Sequence, residues 1–241
     1  MLGDLHNAEY GPDNEVLLSA CASLDPDIIF CVGDMLIGNS LIPFEPAAFF
    51  LENLAKLAPI YFSNGNHETR TRFFSGEYAG KYSDFENRLL TSGIHILNNR
   101  DETAKIKESD FHIYGLEIPL EKYQKFRRAH LSPEELTGLI GVSDQNAFSV
   151  LLAHNPEFAR TYFGWGADLT LSGHFHGGVI RTIRNRAVLN PYGSFFPKYG
   201  YGGFKKNGRN LIVTSGLGDH FIPVRIHNPW EIVSIILEPA D

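Results

Sequence analysis

Short runs of apolar, β-branched residues alternate along the chain with segments whose apolar positions recur every three to four residues. Ile28-Ile29-Phe30-Cys31-Val32 and Ile60-Tyr61-Phe62 are of the first kind, and each runs at once into a polar turn containing glycine. Runs this short, bounded by turn residues, predict buried strands. Residues 14–24 and 46–57 show the second spacing and predict helices that lay one apolar stripe on those strands. Shorter strands are expected over residues 94–116, around the turn-like Asn98-Asn99-Arg100-Asp101, followed by a charged, helix-prone stretch over 117–139. Strand signals resume at 148–152 and 169–171 and continue through 211–213 and 232–237. Strands that alternate with helices early and dominate late predict a layered α/β architecture, two sheets face to face with helices outside.

A length of 241 residues fits one domain, residues 1–241. The formal charge of -7 disfavours a polyanion binder, because nucleic-acid affinity rests on Lys and Arg neutralising phosphates, and no nucleic-acid partner is expected. Two cysteines, Cys21 and Cys31, are too few for a disulfide framework and read as buried thiols in a reducing compartment. No apolar run approaches the roughly 20 residues that span a bilayer, and residues 1–10 lack the pattern of a signal peptide. The chain as written is therefore expected to be soluble and cytoplasmic.

Side chains suited to metals concentrate in five places: Asp4-Leu5-His6, Gly33-Asp34, Gly65-Asn66-His67-Glu68, Ala153-His154-Asn155 and Gly173-His174-Phe175-His176-Gly177-Gly178. Each follows an apolar run, so each falls at a strand's carboxyl end, where open α/β sheets place their ligand crevice. Five of the ten histidines lie in these clusters, and that concentration distinguishes them from lone structural histidines. Asp4/His6 and His174/His176 are i, i+2 pairs, which point the same way from an extended segment. Imidazole, carboxylate and amide oxygen together suit borderline first-row metals. Seven such ligands exceed the needs of one tetrahedral ion and suit two ions sharing a carboxylate, with positions left for water and a phosphate oxygen.

Asp-x-His, Gly-Asp, Gly-Asn-His-Glu, His and Gly-His-x-His, in this order over residues 4–178, resemble the calcineurin-like metallophosphoesterase superfamily. Ser215-Gly216-Leu217-Gly218, Ile222-Pro223-Val224-Arg225 and residues 229–237 resemble its bacterial YkuE/YaeI-like branch. The resemblance implies a four-layer αββα sandwich of two mixed sheets and a dinuclear phosphoesterase acting on phosphomonoesters or phosphodiesters. It implies two divalent ions (Mn, Fe or Zn), the first on Asp4, His6 and His176, the second on Asn66, His154 and His174, with Asp34 bridging. A metal-bridging hydroxide would attack phosphorus while His67 assists the leaving group and Glu68 orients His67. The expected partner is a phosphate ester, either a small molecule or a lipid or nucleotide-sugar headgroup.

Other features carry blander expectations. Gly177 and Gly178 read as a turn. Arg225 and His220 read as solvated surface, as does the basic run over residues 122–130 with Arg127 and Arg128. His95, His112, His130 and His227 are assigned no chemistry. Only Met1-Leu2-Gly3 precede Asp4, so most of the first strand implied by the resemblance is missing; the alternatives are a misassigned start, a trimmed chain, or a true truncation that leaves Asp4 and His6 on a frayed terminus. Proteins of this branch often carry an N-terminal export or membrane segment, so membrane association is expected only through a segment outside this chain. The alternative to an enzyme is a non-catalytic scaffold of the same fold that binds a partner protein. A metallopeptidase is disfavoured, since no His-Glu-x-x-His occurs.

Overall fold

Strand alternation sets the layers. In the computed structural model, which describes residues 1–124, 129–178, 180–182, 186–190, 193–219 and 224–238, β1 (Ile29–Cys31) pairs in parallel with β2 (Ile60–Phe62), and β3 (His95–Ile96) extends the ladder. Successive side chains leave a strand on opposite faces. Ile29, Cys31, Ile60 and Phe62 accordingly enter one core with helices α1 (Glu15–Ser23), α2 (Glu45–Leu54) and α4 (Lys81–Thr91), whereas Phe30 and Tyr61 enter another. The helix between them in sequence, α3 (Asn66–Thr71), follows β2 directly.

The second sheet has six strands in the order β4-β5-β6-β7-β9-β8. β4 (Arg100–Ile106) and β5 (Ser109–Leu116) form an antiparallel hairpin. β5, β6 (Phe148–Ala153), β7 (Leu169–Ser172) and β9 (Arg209–Val213) run parallel, and β8 (Gly202–Lys206) closes the edge antiparallel to β9. Parallel neighbours need crossover connections, which α5 (Pro133–Ile140) and α6 (Ala159–Trp165) supply. Val150 and Leu152 of β6 meet Phe30, Val32 and Tyr61 between the sheets, while Leu151 and Ala153 meet Leu136, Ile140 and Tyr162 on the helix side. The result is the expected helix-sheet-sheet-helix sandwich. Each fully buried leucine in it contributes about 1.5–3 kcal/mol of burial energy.

Three local expectations are corrected. The stretch over 117–139 is not one helix: the described part has a single turn at Leu120–Tyr123 and then α5. Pro119 and Pro133 explain the break, since the residue before a proline is driven out of the helical region. Residues 125–128, with Arg127 and Arg128, lie outside the described residues, as do His220, Ile222 and Pro223. Residues 232–237 join no ladder, although Val233 exchanges both backbone hydrogen bonds with Met1. Nor is the segment bearing Asp4 and His6 frayed. Leu2 N–H donates to Phe30 O (2.9 Å), Asp4 N–H to Gly33 O (2.9 Å) and His6 N–H to Asp34 O (3.0 Å), while Leu217 N–H reaches Gly3 O (3.1 Å) and Gly218 N–H reaches Asp4 O (2.6 Å) from the other side. Among the described residues no helix is long and apolar enough to cross a membrane.

Candidate metal centre

The polar clusters converge where the parallel strands end. Asp34 follows β1, Asn66 and His67 open α3 after β2, His154 follows β6, and His174 and His176 follow β7. Asp4 and His6 lie on the segment held between β1 and the loop at Leu217. All of the predicted ligands are buried, Asp4 and His154 at 0% exposure and His6, the most open, at 9%.

The backbone brings them together differently from the extended arrangement expected of the i, i+2 pairs. Asp4, His6, Asp34, His174 and His176 all adopt left-handed φ values of 52°, 49°, 53°, 66° and 50°. Such a conformation costs roughly 1–3 kcal/mol per non-glycine residue and persists only where the surroundings hold it. Here they do: His174 N–H lies 3.0 Å from each Asp4 carboxylate oxygen, and His67 N–H donates to Asp34 Oδ1 at 2.8 Å. The tight turns also need Gly173, where a Cβ would fall 2.3 Å from Asp4 Oδ2. Gly177 and Gly178 form the expected turn, with Gly178 N–H donating to Phe175 O at 2.7 Å.

Three overlapping groups of donor atoms lie within 4.8 Å of one another: Asp4, His6 and His176; His6, Asp34 and His67; and Asp34, His154 and His174. Asp34 therefore sits between two halves. The imidazole orientations are fixed from outside. His154 Nδ1 lies 2.6 Å from Val32 O, so that ring keeps its proton there, and His176 Nδ1 lies 3.1 Å from Gly218 O; both rings turn Nε2 inward. His6 Nε2 and His176 Nε2 then face each other at 3.1 Å. His154 Nε2 stands 2.9 Å from Asp34 Oδ2 and 3.8 Å from Asp4 Oδ1, without hydrogen-bond geometry. Asn66 Oδ1 is likewise buried without a hydrogen-bond partner. Two buried carboxylates demand positive charge beside them, and the mixed N and O donors fit divalent first-row ions.

Titration behaviour follows the same field. Burial pushes Asp4 up to about 7, with His154 pulling it back. Burial works the same way on Asp34, but His154 and His67 hold it well below the usual carboxylate range. Burial opposes a charge on His154, yet Asp34 and Asp4 lift it to about 9.

His67 is oriented by Gly38, whose N–H donates to Nδ1 at 2.8 Å. Because that donor is a backbone amide, the neutral ring carries its proton on Nε2. The ring meets His6 edge-on at 4.6 Å, and burial lowers its pKa below the ordinary value despite Asp34. Glu68, expected to orient His67, does something else. Its Oε2 accepts from the amides of Asp34 (2.7 Å) and Gly65 (3.0 Å), and its Oε1 from those of Met35 (2.7 Å) and Leu36 (3.1 Å). It fastens the Asp34 loop to the start of α3. Burial and then the Asp34 charge push its pKa up to about 7 against those amides.

Sequence reasoning missed two neighbours and misplaced a third. Tyr123 sets its ring 5.1 Å from that of His174. Asn228 donates to His176 O at 2.6 Å and to Gly178 O. Arg225, read as solvated surface, has a side chain only 9% exposed and passes 3.4 Å from His176 Nδ1. Tyr123 and Asn228 stand in no spacing pattern that could have pointed to them, whereas Arg225 closes the Ile222-Pro223-Val224-Arg225 run singled out in the sequence.

Fold and donor set together are those expected of a metal-dependent phosphoric ester hydrolase. The chain belongs to the calcineurin-like phosphoesterase family, whose family model matches residues 1–178, a stretch holding every ligand candidate. It is similar to a transmembrane protein with a metallophosphoesterase domain from Danio rerio, 27% identical over 233 residues, covering 93% of this chain and 48% of that protein. It thus spans about half the length of that relative. Phosphodiesterase YaeI of Escherichia coli (strain K12) is 24% identical over 220 residues, 90% of this chain and 73% of that protein. The metallophosphoesterase YkuE of Bacillus subtilis (strain 168) is 28% identical over 247 residues, 99% of this chain and 78% of that protein. These matches support the bacterial YkuE/YaeI-like branch. Among solved structures, phosphopantetheinyl hydrolase from Mycobacterium tuberculosis shares the fold at a TM-score of 0.50 and 13% identity, covering 87% of this chain and 86% of that one.

Proposed function

We propose that the chain hydrolyses phosphomonoesters or phosphodiesters at a dinuclear centre, with residues 1–241 acting as one catalytic domain. Asp4, His6 and His176 hold one divalent ion, Asn66, His154 and His174 the other, and Asp34 bridges them. Mn, Fe and Zn all suit these donors. The observation that carries the proposal is a chain of donor groups: His6 is shared by the Asp4-His176 group and the Asp34-His67 group, Asp34 is shared in turn with His154 and His174, and His6 Nε2 and His176 Nε2 are only 3.1 Å apart. When bound, the ions supply an acidified water as nucleophile and offset charge on the phosphoryl oxygens. His67 then donates a hydrogen bond from Nε2–H to the charge developing on the leaving oxygen, without giving up the proton, while Gly38 N–H holds the ring in the donating tautomer. The substrate is a phosphate ester of a small molecule or of a lipid or nucleotide-sugar headgroup, in keeping with the name phosphodiesterase carried by the E. coli relative.

The test combines elemental analysis with hydrolysis of p-nitrophenyl phosphate and bis-p-nitrophenyl phosphate after reconstitution with Mn²⁺. Two ions per chain are expected, with turnover that drops about 10²–10⁴-fold in His67→Ala while both ions remain. Background turnover in the wild type, unchanged by Asp34→Asn, sinks the proposal.

A further inference from the structure

Residues 214–219 and 225–231 lie beyond the stretch matched by the family model, yet they pack directly against Asp4 and His176. One residue of it, Gly218, touches both: its N–H donates to Asp4 O at 2.6 Å, and its carbonyl lies 3.1 Å from His176 Nδ1. Gly218 sits so close to the first segment that a Cβ would fall 2.1 Å from Leu5 O. A short loop with this double duty has to be held from behind. Arg225 does so, with Nη1 donating to Ser215 O at 2.9 Å, Nη2 to Gly218 O, and Nε to Asp219 Oδ1 at 3.3 Å. Trp230 Nε1 reaches the same Asp219 oxygen at 3.2 Å, and Tyr10 OH donates to Leu217 O. The guanidinium thus spans both ends of the loop, which a planar fork of donors can do and a lysine ammonium cannot.

We propose that Arg225 is a positioning residue for the metal position of Asp4, His6 and His176, acting through the Gly218 carbonyl that orients His176. The inference rests on the dinuclear reading of the centre. Gly218 O and Arg225 Nη2 both lie against His176 Nδ1, at 3.1 and 3.4 Å, and together they hold the ring with its Nε2 turned toward Asp4 Oδ1, 3.4 Å away. Freed from Arg225, the loop loses its hold on two carbonyls, and the ring is free to turn or change tautomer. The other position, at His154 and His174, has its own anchor in Val32 O and no contact with Arg225 among those described. Partners of this kind typically govern 10–100-fold in metal affinity.

The experiment is calorimetric titration of the metal-free full chain with Mn²⁺, for the wild type, Arg225→Lys, Arg225→Met, His176→Ala and His154→Ala, with circular dichroism of each. Two sites in the wild type are expected. Both Arg225 variants should weaken one site 10–100-fold, the same site that His176→Ala removes, and leave the site that His154→Ala removes within about twofold. Equal weakening of both sites, no weakening of either, or loss of the His154 site overturns the inference. An Arg225→Lys chain that fails to fold does so as well, because it would make Arg225 a residue of the fold. Fewer than two sites in the wild type is a separate outcome, which removes the dinuclear reading itself.

Discussion

A buried carboxylate ringed by backbone amides is Glu68's whole environment, and its removal should be felt at Asp34 before anywhere else. Glu68 holds four amides from two loops that each carry a ligand candidate. In Glu68→Gln the side-chain NH₂ faces amides that need an acceptor, and each buried donor left unsatisfied costs about 1–3 kcal/mol. The variant should lose on the order of 3 kcal/mol in urea unfolding and bind fewer metal ions by elemental analysis, whereas unchanged stability would show that the loops find other partners. The residues whose donor atoms gather around Asp34 were legible because residue type and spacing carry them. Glu68's partner was not, since consecutive helical residues point in different directions and His67 and Glu68 cannot share a task merely by adjacency. The left-handed backbone at Asp4, His6, Asp34, His174 and His176 was equally unreadable, because it is imposed by amides and carbonyls far away in sequence.

Elements follow a similar division. β2 falls on the predicted Ile60-Tyr61-Phe62 and β1 within Ile28-Ile29-Phe30-Cys31-Val32, because a short apolar run between turn residues has few other uses in a layered fold. α1 and α2 end one to three residues inside or outside the predicted limits, at boundaries where caps rather than periodicity decide. α3 left no signal in the sequence, since six residues show no period and its first turn carries site residues instead of an apolar stripe. In residues 117–139 charge and helix propensity outweighed two prolines, although Ser132-Pro133-Glu134-Glu135 states where the helix starts. Ser132 Oγ accepts from Glu135 N–H at 3.1 Å and Glu135 Oε2 from Ser132 N–H at 2.8 Å, a reciprocal cap. Ser132→Ala should therefore cost about 1 kcal/mol in thermal unfolding without changing metal content. A neutral result would mean that the packing of Leu136 and Ile140, not the cap, sets the helix start.

At the scale of the whole molecule the centre is assembled from both ends of the chain, with Met1 paired to Val233 and the Asp4 segment clasped between β1 and the loop at Leu217. That clasp buries β1 completely, including Cys31 at 0% exposure, and makes the core beneath the centre sensitive to alkali. Burial pushes the Cys31 thiol from 9.0 up to about 12, and the Cys21 thiol rises for the same reason. Between those values the unfolded chain has released a proton that the folded chain still holds, so the unfolded state binds fewer protons and stability falls as pH rises. Below pH 9 the contribution is fully present, and by pH 12 about 4 kcal/mol of it is gone for Cys31, since each tenfold difference in proton affinity between the two states is worth about 1.4 kcal/mol. Urea midpoints measured from pH 8 to 11 for the wild type and Cys31→Ala isolate this effect, because tyrosine and lysine titrations are common to both and cancel in the difference. The variant should carry a constant deficit from the lost sulfur at pH 8 that shrinks steadily above pH 9. A deficit that stays constant across the range would place a proton-releasing thiol in the folded state and contradict the burial of β1 on which the geometry at Asp34 depends.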